Sequence, residues 1–189
     1  MPGTVCDAMA FHPLRRFVSD TGMQSRSFLL VCLGNICRSP LAEAALRDAA
    51  ARAGVEIAVD SAGTGAWHVG NPPDHRAQAV ALAHGIDISG YRGRQVAAED
   101  YRRFTDILAL DRDNLAELRR RAPKDSTTRI GLLMDALPGR RGRAVADPYY
   151  GEAAGFEVTW ADVSAAAEAI VAELAPDRRS RPRGNDEGR

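Results

Sequence analysis

The chain has 189 residues, room for one α/β domain and hardly for two, and with 45% hydrophobic residues it can bury a core. Lys and Arg total 25 against 25 Asp and Glu, so no global field draws it to nucleic acid or an anionic membrane, and any anion affinity must come from a local site. Three cysteines, Cys6, Cys32 and Cys37, are too few and too clustered for a disulfide framework, and no Cys/His set has zinc-site spacing. The longest apolar run, Phe28 to Leu33, falls far short of the roughly 20 residues that span a bilayer. Asp7, His12, Arg15 and Arg16 interrupt any signal-type apolar core. A reducing cytoplasm is therefore the expected compartment. Lys124 is the one lysine beside many arginines, and Ala is abundant, a usage that points to a GC-rich, bacterial genome.

Residues 1–25 carry no sustained period of 2 or 3.6 and read as a flexible N-terminal extension. From there short apolar runs alternate with helical patterns. Strands are expected at Phe28–Cys32, Glu56–Asp60, Asp106–Leu110 and Arg129–Met134, and helices at Pro40–Ala53, Asp74–His84, Glu99–Phe104, Arg112–Arg121 and Phe156–Leu174. This alternation predicts a single α/β domain over residues 26–175, a four-stranded, mostly parallel sheet with helices on both faces. Residues 176–189 are nearly all Arg, Asp, Glu, Pro, Gly, Ser and Asn and read as a disordered, Arg-rich tail.

The segment Val31-Cys32-Leu33-Gly34-Asn35-Ile36-Cys37-Arg38-Ser39-Pro40 joins the first strand to the first helix, and in open α/β sheets such junctions bind ligands. Gly34 and Asn35 tolerate a left-handed backbone, so the loop can turn successive N–H groups inward. Ser39 suits the helix N-cap and Pro40 the N1 position, which puts the positive end of the helix dipole at the loop. Into that field the sequence places a thiol, Cys32, and six residues later a guanidinium, Arg38. Such surroundings favour a nucleophilic thiolate, and the arginine fork can hold two phosphoryl oxygens. A bare Cys-x5-Arg spacing is weak in a chain this rich in Arg; the strand before it, Gly-Asn within it and Ser-Pro after it make it specific. Cys37 has two readings: a space-filling side chain beside the loop, or a thiol that traps a sulfenic acid on Cys32 as a disulfide. Asp147-Pro148-Tyr149-Tyr150-Gly151 has turn chemistry at both ends and reads as a surface loop carrying a carboxylate.

These residues resemble the low-molecular-weight protein tyrosine phosphatases. The resemblance rests on Val31–Pro40 and continues through Asp60-Ser61-Ala62-Gly63-Thr64, Trp67, His84-Gly85-Ile86, Arg94-Gln95, Asp111 with Asn114-Leu115, and Asp147–Gly151, in the same order over about residues 27 to 175. It implies that Cys32 attacks phosphorus, that Arg38 binds the phosphate and stabilises the transition state, and that Asp147 protonates the leaving phenolate and then activates water. Ser39 would donate to the thiolate, and Asn35 would hold the loop in its strained shape. Substrate contacts would come from the loop residues Leu33, Gly34, Asn35, Ile36, Cys37 and Ser39, with Trp67, Tyr149 and Tyr150 around the ring. Many members of the family brace this loop with a histidine where Tyr91 stands here.

The implied activity is hydrolysis of phosphotyrosine in proteins and of small aryl phosphates through a cysteinyl-phosphate, without metal or organic cofactor. The expected partner is a phosphotyrosine protein, with no nucleic acid and no membrane, and the chain is expected to be a monomer or at most a weak dimer. Arsenate reductases share the fold and the loop but pass oxidation through further downstream cysteines, and none follows Cys37. A non-catalytic phosphate-binding module would have no use for Asp147 or Ser39.

Overall fold

In the computed structural model, which describes residues 26–175, strands β1 (Ser27–Cys32), β2 (Ala58–Gly63), β3 (Asp106–Ala109) and β4 (Arg129–Leu132) form one sheet. The order is β2-β1-β3-β4 and every pairing is parallel. The strands alternate with α1 (Arg38–Ala53), α2 (His75–Ala83), α3 (Asp100–Arg103), α4 (Arg112–Arg121) and α5 (Ala153–Leu174). The expectations for residues 1–25 and 176–189 fall outside the described residues.

β1 is buried on both faces, which is why it reads as one continuous apolar run. Phe28 and Leu30 pack with Leu41 and Leu46 of α1 and Phe156 and Val163 of α5, whereas Leu29 and Val31 face Tyr101, Phe104 and Leu118 on the other side. Two apolar layers thus clamp one sheet. Alanines let α1 lie close along α5, with Ala42, Ala45 and Ala49 buried. α1 ends at Gly54, whose φ of 67° is the left-handed cap that glycine adopts without strain.

At the amino end of the sheet, Asp106 accepts from Arg26 Nε at 3.0 Å, Arg129 Nε at 2.8 Å and Thr105 Oγ1 at 2.7 Å. Burial pushes this carboxyl upward, but the bonds from Arg129, Thr105 and Arg26 outweigh it and hold it below the usual carboxylate range. At the carboxyl end, the strand order reverses on either side of β1, and the loops after β1, β2 and β3 meet.

Four elements differ from the sequence expectations by two residues or more. β2 runs over Ala58–Gly63 instead of Glu56–Asp60, because its register sets Gly63 beside Cys32. β4 stops at Leu132 and passes into a 3₁₀ turn, Leu133–Ala136, in place of extended chain to Met134. α5 begins at Ala153, three residues before Phe156, since Ala153, Ala154 and Gly155 bear no apolar stripe to mark the first turn. α1 begins at Arg38 and not at Pro40. Among the described residues no helix is long and apolar enough to cross a membrane.

Candidate active site

β1 ends at Cys32, and the chain turns through Leu33–Cys37 into α1. Asn35 makes the turn with φ 56°, a left-handed conformation that Asn tolerates better than most residues with a side chain. Gly34 is not left-handed; a Cβ there would lie 3.0 Å from His68 Cδ2, so its bareness serves close approach. Gly63 plays the same part from below, since a Cβ on it would meet Leu33 O at 2.7 Å.

Asn35 N donates to Cys32 Sγ at 3.3 Å, and Ser39 Oγ lies 3.0 Å from the same sulfur. Asn35 Nδ2 donates to Ser39 Oγ and to Ser61 Oγ, each at 2.9 Å, and Ser61 Oγ donates to Glu43 Oε2 at 2.7 Å. This chain has a direction. Glu43 accepts a hydrogen bond from Ser61, so Ser61 must accept from Asn35; Ser39 also accepts from Asn35, and its own proton has two acceptors, the sulfur at 3.0 Å and Ala62 O at 3.4 Å, of which the sulfur is the nearer. Asn35 Oδ1 is held by Arg94 N at 2.9 Å. Burial raises the Glu43 carboxyl above its usual range, against the lowering effect of its bonds to Ser61 and Arg47.

Ser39 is therefore not the helix cap that the sequence suggested. The N-cap is Cys37, Ser39 and Pro40 fall at the second and third helical positions, and no side chain caps the helix. The Ser39 hydroxyl is engaged by the thiol, by Asn35 and by the Ala62 carbonyl. The first amides of α1 consequently have no side-chain acceptor and face the loop, an arrangement suited to an anion. Cys37 is buried, and burial together with Asp74 pushes its thiol up to about 12.

Arg38 is 3% exposed. Its Nη1 donates to Asp111 Oδ2 at 2.7 Å and to Val145 O at 3.4 Å, and its Nη2 donates to Asp147 Oδ2 at 2.7 Å. Of the five guanidinium N–H groups, Nε–H and one on Nη2 remain for the two-pronged grip expected of this residue. The structure thus brings Cys32, Arg38 and Asp147 to one end of the sheet. Asp111 caps α4 by accepting from Asn114 N at 2.7 Å, which fixes the carboxylate that orients Arg38.

Around this centre Leu33, Trp67, Tyr149 and Tyr150 are exposed and Ile36 is half-buried. The Trp67 ring lies over Gly65, where a Cβ would come within 1.9 Å of it. Tyr149 and Tyr150 pack edge to face at 4.9 Å. Arg76 pins their loop, donating to Tyr149 O at 3.0 Å and Gly151 O at 2.8 Å while it is paired with Asp74. Tyr91 stands half-buried beside Glu43 and Asp60, and among the described residues its hydroxyl makes no hydrogen bond. Bracing of the loop falls to Ser61 and to the Arg94 amide. No cluster of His, Cys, Asp or Glu that could hold a metal ion occurs among the described residues.

The sequence assigns no role to Glu43 or Arg76, and Ser61, Arg94 and Asp111 enter it only as part of the resemblance. The spacing of Glu43 and Arg47, which pair at 2.9 Å, was a visible i,i+4 signal. Nothing local marks the contacts that Ser61, Arg76 and Arg94 make with the loops of the site, because those partners lie far away in the chain.

The family model for low molecular weight phosphotyrosine protein phosphatase matches residues 27–180. The chain is 40% identical over 155 residues to the low molecular weight protein-tyrosine-phosphatase YfkJ of Bacillus subtilis, covering 81% of this chain and 98% of that one. It is 38% identical over 139 residues to the human low molecular weight phosphotyrosine protein phosphatase, covering 72% and 87%. The crystal structure of YfkJ superimposes with a TM-score of 0.74, covering 81% of this chain and 96% of that one. With the match running unbroken from the first strand to the last helix, the chain belongs to the low molecular weight phosphotyrosine protein phosphatase family.

Proposed function

We propose that this member of the family removes phosphate from protein phosphotyrosine with Cys32 as nucleophile, Arg38 as phosphate ligand and Asp147 as acid and base. The observation that carries the reading is the sulfur of Cys32, held at 3.0 Å from a hydroxyl and 3.3 Å from a backbone amide at the foot of an uncapped helix. Those two contacts stabilise a thiolate both as nucleophile and as leaving group. Attack on phosphorus forms the S–P bond and breaks the P–O bond to the ring, while Asp147 gives its proton to the departing phenolate. The resulting carboxylate takes a proton from water, whose oxygen displaces Cys32 and releases inorganic phosphate. Charge spreading over the phosphoryl oxygens is met by Arg38 and the loop amides.

Trp67, Tyr149 and Tyr150 supply exposed aromatic surface for the substrate ring, with Leu33 and Ile36 beneath. Gly34, Asn35, Cys37 and Ser39 shape the loop that the phosphate enters. The working unit is residues 26–175, acting in a bacterial cytoplasm without the flanking segments. The test is turnover of an aryl phosphate, with EDTA present, by wild type and by Cys32→Ser. The wild type should turn over and the variant should not, since a hydroxyl in the same loop stays protonated. Substantial activity in Cys32→Ser would remove the nucleophile, and EDTA-sensitive activity would remove the metal-free mechanism.

A further inference from the structure

Arginine is abundant here and mostly spent on carboxylates, as in Arg26 and Arg129 with Asp106 or Arg94 with Asp60 and Asp100. Arg112, Arg141 and Arg143 differ. All three are exposed, and among the described residues none forms an ion pair. They also share one place. Gly139 and Gly142, with φ 77° and 73°, fold residues 138–143 into a tight loop. That loop is anchored by Gly142 N to Asp135 Oδ1 at 2.7 Å, Arg112 Nε to Gly142 O at 3.0 Å, and an ion pair from Arg140 to Asp162. The anchoring sets the loop at the carboxyl end of the sheet, where Val145 N bonds Leu110 O at 2.8 Å. Arg112 directly follows Asp111, and Arg143 lies two residues before Val145, and both Asp111 and Val145 touch Arg38.

We propose that Arg112, Arg141 and Arg143 form a basic rim on the active site that selects phosphotyrosine peptides with acidic residues beside the phosphotyrosine. The inference rests on the phosphotyrosine reading of the site and adds a peptide specificity to it. Unpaired guanidiniums on a pinned loop and on the helix start that pins it attract carboxylates without first breaking an internal pair. A peptide advances about 3.5 Å per residue, so acidic side chains two to four positions from the phosphotyrosine pass within about 7 to 14 Å of it, over this rim. The two acids that anchor the loop are already engaged, Asp135 by the Gly142 amide and Asp162 by Arg140, and neither pairs with any of the three.

Three phosphotyrosine peptides that differ only in flanking Glu, Gln or Lys, assayed beside p-nitrophenyl phosphate, test the rim. Wild type should favour the Glu peptide over the Gln peptide by about 3- to 30-fold in kcat/KM at low salt, a range set by exposed ion pairs, and the preference should shrink toward unity near 0.5 M salt, roughly where screening becomes short-ranged. Arg141→Gln with Arg143→Gln should lose most of the preference while p-nitrophenyl phosphate turnover, which also reports folding, stays within about twofold. Arg141→Glu with Arg143→Glu should favour the Lys peptide. Equal rates on the Glu and Gln peptides by wild type, or a preference that survives the double Gln substitution or high salt, would overturn the rim. Failure to hydrolyse any phosphotyrosine peptide would instead overturn the reading on which it rests.

Discussion

Asp147 Oδ2 accepts from Arg38 Nη2 at 2.7 Å, so the proposed acid and the proposed phosphate ligand hold one another across the mouth of the site. The two differ sharply in surroundings. The Arg38 side chain is 4% exposed and that of Asp147 45%, so the arginine is fixed and the carboxylate can exchange a partner. A phosphate that engages the arginine competes with Asp147 for Nη2, and this frees the carboxyl to turn toward the phenolate oxygen.

Asp147→Asn should therefore slow cleavage of phosphotyrosine by roughly 10² to 10⁴ and slow aryl phosphates with good leaving groups much less, because a general acid matters most when the departing oxygen is basic. Single-turnover phosphorylation across a series of aryl phosphates measures this. An equal loss for every leaving group would exclude the acid role.

Gly63→Ala tests the loop geometry without touching a reactive group. The new Cβ would press on Leu33 O at 2.7 Å and Asn35 N at 3.2 Å, both backbone atoms of the phosphate loop. The loop must move, and misplacement of about 1 Å can cost on the order of 10²-fold. A fall of at least about tenfold in kcat/KM is expected in a protein that still unfolds cooperatively, at a stability cost of about 1 to 3 kcal/mol. Wild-type kinetics would mean that the loop tolerates the contact.

Asp106→Asn should act on stability and leave turnover alone. The Asp106 carboxyl titrates below its ordinary value of 3.8 when folded, so the stability it contributes is present above that value and is lost as pH falls through the folded one. Arg26 and Arg129 are 37% and 62% exposed, which limits the gain by screening. Denaturant unfolding should show a loss of about 1 to 2 kcal/mol near neutral pH that narrows toward pH 3. A difference that stays constant with pH would count against an ionic origin.

Peroxide should inactivate the enzyme reversibly as Cys32 sulfenic acid condenses with the Cys37 thiol, forming the disulfide and releasing water. With Cys37 pushed up to about 12, closure should be slow at neutrality and accelerate about tenfold per pH unit as its thiolate grows. Mass spectrometry at pH 7 and pH 9 reads the bridge. Sulfinic or sulfonic acid on Cys32 with no bridge at either pH would eliminate Cys37 as the resolving thiol.

The phosphate loop was legible because it is contiguous: one strand, one left-handed turn and one helix start lie within Cys32–Pro40, and each leaves a residue-level mark. The sheet was legible where it is fully buried, as in β1. β2 was misplaced because Ser61, Ala62 and Gly63 are small or polar and do not look like strand residues. They occupy that strand for the neighbouring loop, Ser61 to accept from Asn35 and Gly63 to let Leu33 pass. The N-cap was misread for a related reason: Ser39 has cap chemistry, but a thiol outcompetes the helix for its hydroxyl. The contacts of Arg76 and Arg94 were invisible because the groups they hold, at Tyr149 and Asn35, are 73 and 59 residues away.

β3 begins at Asp106, which gathers two arginines at the base of the sheet, and the chain that leaves it reaches Asp111, which orients the arginine of the site. Five residue steps of extended chain at about 3.3 Å set the two backbone positions roughly 16 Å apart, beyond a Debye length at physiological salt. The Asp106 cluster and the proposed site thereby stand at opposite poles of one short segment. A lineage entering a more acidic niche could rebuild the Arg26, Asp106 and Arg129 cluster and inherit its kinetics unchanged, whereas a lineage changing its substrates would leave that cluster alone and diverge around Arg112.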